Sequence, residues 1–62
     1  MPKVFIEMLE GRTLEQKRLM AEKVTDAMVE SLGVKRESVL MTIRENKKEN
    51  LAKGGKLLID LA

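Results

Sequence analysis

From Lys3 to Leu9 the residues alternate: Val4, Ile6 and Met8 share one face of an extended chain, while Phe5, Glu7 and Leu9 share the other. This pattern predicts a strand. Its second face carries Phe5 and Leu9 beside a charge, so it too calls for cover, which a small lone sheet cannot supply for itself. Glu10-Gly11-Arg12 breaks the alternation, and Thr13 then stands three residues before Gln16, the spacing of a capping box that opens a helix. Met20, Val24, Ala27, Met28 and Leu32 follow at steps of three and four, with Leu14 and Ala21 near the stripe and Lys17, Glu22, Lys23 and Glu30 outside it. Gly33 is the expected stop, which makes residues 14–32 a rod of about 28 Å at 1.5 Å per residue.

The run SVLMTIRE places Val39, Met41 and Ile43 on one face and Leu40, Thr42 and Arg44 on the other, a second strand. Strand, long amphipathic helix, strand is a βαβ unit, which calls for parallel strands, a right-handed crossover and a helix laid over one face. The predicted fold class is therefore α/β (α+β), with Val4, Ile6, Met8, Val39, Met41 and Ile43 beneath the helix. Asn46 to Lys53 is polar and irregular, and Gly54-Gly55 permits a positive-φ turn. Leu57 to Leu61 is expected to be an extended tail that pairs with another strand, in a neighbouring subunit, because two strands alone make a marginal sheet.

Sixty-two residues allow one domain, 1–62, and a chain this short usually leans on disulfides, a metal or a partner subunit. With no Cys and no His, self-association is the remaining source of stability. The same absences remove Ser-His-Asp, Cys-His and zinc chemistry. No metal and no cofactor are expected. Twelve Lys and Arg against ten Asp and Glu are mixed along the chain, and Phe5 is the sole aromatic, which speaks against a nucleic-acid partner. No apolar run suits a membrane span, and the N-terminal MPKVFIEML has no signal-peptide pattern, so a cytoplasmic location is expected.

Two residues carry chemical interest. Pro2 follows Met1, and removal of Met1 would make it a free secondary amine, a base able to work near neutral pH because α-amino groups titrate at about 7.7–8.0; alternatively it simply starts the strand, where a missing N–H is tolerated. Arg12 lies past the carboxyl end of the first strand, the edge where open α/β units collect ligands, and its guanidinium suits a carboxylate. Its other reading is a surface pair with Glu10 or Glu15.

The proline after Met1, the strand VFIEMLEGR, the helix start TLEQK, the strand SVLMTIRE and the late Gly54-Gly55 together resemble the 4-oxalocrotonate tautomerase family, as a short-subunit member over the whole chain. The resemblance implies a βαβ subunit with a C-terminal hairpin, two of which form a four-stranded dimer and three dimers a homohexamer. It also implies a cofactor-independent isomerase in which the processed Pro2 nitrogen is the general base, moving a proton in a dienol such as 2-hydroxymuconate to give the conjugated ketone. Arg12 takes the position that binds a substrate carboxylate. This chain departs from the family at two places: Leu40 stands where the best-known members have a second arginine, and Leu51 where they have an aromatic. Leu9, Leu40 and Leu51 then become apolar walls, and Arg44 or Lys3 the candidates for a replacement cation. With one cation fewer, weaker action on a dicarboxylate or a preference for a monoacid such as phenylenolpyruvate is expected. Two further readings follow from the same residues: hydration or decarboxylation with protonated Pro2 as acid, and a non-catalytic oligomer that binds a small ligand.

Overall fold

A computed structural model describes residues 1–61. Strand β1 runs Lys3–Leu9, helix α1 Leu14–Leu32, and strand β2 Leu40–Asn46, with β1 and β2 paired in parallel from Lys3↔Leu40 to Leu9↔Asn46. The alternation read from the sequence is the burial pattern of β1, where Val4, Ile6 and Met8 are half-buried and Lys3, Phe5, Glu7 and Leu9 are exposed. In β2, Met41 and Ile43 lie half-buried while Leu40, Thr42 and Arg44 face outward. One face of the sheet is thus sheltered and the other open.

The capping box closes as predicted: the Thr13 amide donates to Gln16 Oε1 at 2.9 Å, and the Gln16 amide donates to Thr13 Oγ1 at 3.1 Å. Gly33 ends the helix in the left-handed region at φ 67°, where a residue without Cβ is at ease, and its N–H reaches the Val29 carbonyl at 2.9 Å. Between these ends the sheltered stripe differs from the one expected. Lys17, Met20, Ala21, Val24, Thr25, Met28 and Val29 are half-buried, whereas Leu14, Ala27 and Leu32 are exposed. Lys17 moves inward because its ammonium meets an acid at the end of β2.

Two connections also differ from expectation. Arg36–Ser38 forms a single 3₁₀ turn, its Ser38 hydroxyl donating to the Lys35 carbonyl at 2.7 Å, so that β2 begins at Leu40 and Val39 ends the turn. The C-terminal hairpin implied by the family resemblance is present within the chain, in place of the extended tail read from Leu57 to Leu61. Ala52–Lys53 (β3) pairs antiparallel with Lys56–Leu57 (β4) across Gly54-Gly55, both at positive φ, and Leu58–Asp60 turns as 3₁₀. The Leu58 amide donates to the Leu51 carbonyl at 2.8 Å, which folds the tail back on its own subunit. A third 3₁₀ turn, Lys48–Asn50, interrupts the stretch expected to be irregular.

This subunit does not enclose a core. Among the described residues none is fully buried, and the chain exposes 5147 Å², where a compact monomer of 7.0 kDa exposes about 4,000 Å². Its radius of gyration is 15.0 Å, against about 10.6 Å for a globule of this length. No helix among the described residues is long and apolar enough to cross a membrane.

Candidate active site

Each candidate residue owes its position to the strand–loop–helix frame. Pro2 sits just before β1, half-buried, and its carbonyl accepts the Leu40 amide at 3.1 Å, which extends the parallel ladder by one step. Met1 stands clear of the fold at 81% exposure. While Met1 is attached, the Pro2 nitrogen is an amide without a basic lone pair. Leu40 lies beside Pro2 and opposite Lys3, and Leu40 and Lys3 both project on the open face of the sheet.

Arg12 lies at the other end of β1. The seven steps from Pro2 to Leu9 span about 23 Å at 3.3 Å each, so Pro2 and Arg12 do not meet within one subunit. Arg12 and Lys17 border a 240 Å³ cavity with Met8, Gln16 and Met20. A second cavity of 380 Å³ joins Arg12 to Met8, Leu9, Glu10 and Gly11. A third, of 460 Å³, opens where Leu9 to Gly11 face the segment Asn46 to Glu49 and Ile59. None of the three reaches Pro2, Leu40 or Leu51. Among the described residues Arg12 makes no ion pair, with Glu10 or Glu15 or any other acid; Glu15 is taken by Arg18. The guanidinium is therefore available to an anion, with apolar Met8 beside it.

The two candidates for an extra cation differ. Arg44 Nη1 lies 3.5 Å from Glu7 Oε1 across the strand pair, on the open face, so its charge already has an acidic partner. Lys3 makes no ion pair among the described residues. Leu51 is half-buried beside the hairpin, and Leu9 closes the carboxyl end of β1. Among the described residues there is no cluster of His, Cys, Asp and Glu that could hold a metal.

One pair escaped the sequence reading. Lys17 Nζ donates to Glu45 Oε1 at 2.8 Å, with side chains only 25% and 32% exposed, and ties the first turn of α1 to the end of β2. The signal was present in the sequence as a lysine in the first helical turn, the positive end of the helix dipole, where a cation is disfavoured unless an acid meets it.

The family model of tautomerase enzymes matches residues 2–60. A probable tautomerase of Bacillus cereus is 50% identical over 60 residues, covering 97% of this chain and 98% of that protein. The 2-hydroxymuconate tautomerase of Bacillus subtilis is 48% identical over 61 residues, 98% of each chain. The crystal structure of YwhB, a homologue of 4-oxalocrotonate tautomerase, superposes with a TM-score of 0.93 at 46% identity, covering 98% of this chain and 100% of that one.

Proposed function

The chain belongs to the tautomerase family as a short-subunit member of the 4-oxalocrotonate type, an isomerase by that membership, and from that premise we propose that it tautomerises small enol or dienol carboxylates with Pro2 as general base. Removal of Met1 frees the Pro2 amine. The amine takes the proton of the substrate's enol hydroxyl; as that O–H bond breaks, the oxygen becomes a ketone and the displaced π pair moves along the chain to a carbon. The protonated amine then delivers the proton to that carbon and is ready again. No oxidant, metal or cofactor enters this balance.

The observation that carries the proposal is the ion-pair-free Arg12 in the lining of a cavity that it shares with Met8. A guanidinium there binds a carboxylate in the substrate and stabilises the negative charge that develops as the proton leaves. Because Pro2 and Arg12 lie at opposite ends of β1, the proposed site draws them from different subunits. The open sheet face and the 5147 Å² of exposed surface support such an assembly, which we take to be a homohexamer built as three dimers, each chain 1–62 a single domain working in the cytoplasm. Leu9, Leu40 and Leu51 line the pocket as apolar walls. With leucine at positions 40 and 51, and Arg44 held by Glu7, the proposed preference is for a monoacid enol over 2-hydroxymuconate.

The test is a spectrophotometric ketonisation assay with 2-hydroxymuconate and phenylenolpyruvate, on protein whose intact mass shows Met1 removed. Pro2→Ala is expected to abolish most turnover while leaving the oligomer intact, with phenylenolpyruvate the better substrate of the parent. Equal rates for Pro2→Ala and parent would sink the proposal.

A further inference from the structure

We infer that the Lys17–Glu45 ion pair is a positioning device for Arg12, an inference that rests on the reading of Arg12 as the carboxylate binder. The link from Leu9 to Leu14 is short and turns at Gly11, whose φ of 117° is a conformation that residues with a Cβ rarely adopt. Three fixtures restrain it. On its near side the Glu10 amide donates to the Asn46 carbonyl at 3.0 Å. On its far side the capping box of Thr13 and Gln16 fixes where the helix starts. The third is Lys17, whose ammonium bonds Glu45 at 2.8 Å, one residue before Asn46. Backbone and side chain thus grip adjacent residues at the end of β2, and Arg12 is held between the two grips.

The pair is fitted to this task rather than to surface solubility. It is the least exposed ion pair among those of the described residues, the next being Arg36–Asp26 at 49% and 55%. Lys17 also lines the same cavity as Arg12, one helical turn into α1, so any shift of the helix start moves the cavity wall and the guanidinium together. A cation in the first turn works against the helix dipole, and Glu45 is what offsets that cost. Without Glu45 paired to it, the helix start keeps only its local cap. Arg12 then samples a wider range of positions, and carboxylate binding suffers. Displacements of about 1 Å in a positioned group can cost up to about a hundredfold in rate.

Lys17→Met, Glu45→Gln and Lys17→Arg test the device. For phenylenolpyruvate, Lys17→Met and Glu45→Gln are expected to raise KM roughly tenfold, within the range such misplacement produces, and Lys17→Arg to restore it. The methyl ester of the same enol, which gives Arg12 no carboxylate, should be turned over by Glu45→Gln at the parent's rate. Arg12→Ala combined with Lys17→Met should be no worse than Arg12→Ala alone, because the lysine acts through the arginine. The heteronuclear NOE of the Arg12 Nε–Hε group, measured on the same proteins, reads the restraint without turnover and is expected to fall in Lys17→Met and recover in Lys17→Arg. An unchanged Arg12 NOE, or equal losses on acid and ester, overturns the positioning role. Loss of the proposed chemistry itself shows differently, as a parent no faster than Pro2→Ala, and the NOE then still decides the role of the pair.

Discussion

Replacing Phe5 with alanine should weaken the assembly rather than the subunit. Phe5 is 73% exposed and lies on the open sheet face, opposite Thr42. An aromatic side chain offers about 150–250 Å², so on the order of 110–180 Å² of Phe5 stays wet in an isolated chain. At about 25 cal/mol per Å², covering it contributes about 2.8–4.5 kcal/mol per subunit, of which alanine keeps the small part due to Cβ. The expected loss is therefore about 2–4 kcal/mol per subunit, and each 1.4 kcal/mol is about tenfold in an equilibrium constant. Sedimentation velocity over a dilution series should show Phe5→Ala dissociating at concentrations at least about tenfold higher than the parent. Urea unfolding at one fixed protomer concentration should show a lower midpoint, since association stabilises the folded chain by mass action. Identical dissociation and identical urea midpoints for Phe5→Ala and parent would refute the idea that this face is covered in the assembly.

Two other substitutions probe separate links. Thr13→Ala removes the acceptor for the Gln16 amide and should lower stability by about 1 kcal/mol, read as a reduced urea midpoint with an unchanged slope. Leu40→Arg restores a cation to the position where the family's best-known members carry one. It should raise kcat/KM for 2-hydroxymuconate relative to phenylenolpyruvate by about tenfold or more, given that one charge-stabilising donor is worth about 2.7–4 kcal/mol; an unchanged ratio of the two substrates would show that position 40 does not touch the second carboxylate.

The elements set by local chemistry were legible from the residues alone. Alternation at Val4, Ile6 and Met8 gave β1, the Thr13–Gln16 spacing gave the start of α1, and Gly33 gave its end, because each of these signals is written within a few residues. The helix face was read less well, since hydropathy assigns Lys17 to solvent and only the tertiary partner Glu45, twenty-eight residues away, draws it inward. The C-terminal hairpin is implied by the family resemblance, whereas the residues of the tail alone do not specify it. Leu57 to Leu61 reads equally as strand or helix, and what decides it is the Gly54-Gly55 reversal and the bond from Leu58 to Leu51, neither of which apolar content reports. At the site, Pro2 and Arg12 could be named from position and residue type. Their separation emerges only with the observed length of β1, and Arg44's engagement with Glu7 only with the strand register.

That separation ties the proposed chemistry to assembly. A seven-residue strand puts Pro2 and Leu9 about 23 Å apart, several times the length of a small enol carboxylate, so no rotamer change lets one subunit's amine and guanidinium hold one substrate. A base and a carboxylate binder placed at opposite ends of a strand serve a common pocket only if a second chain brings its far end to the first chain's near end. The large exposed surface, the open face that carries Phe5, Leu9 and Leu40, and the catalytic pairing then share one cause. On this proposal, activity per protomer must fall on dilution in step with dissociation, and Phe5→Ala must show that fall at higher concentration than the parent. If instead specific activity held constant through dissociation, Pro2 would be working without Arg12, and the arginine would lose its proposed place in the site.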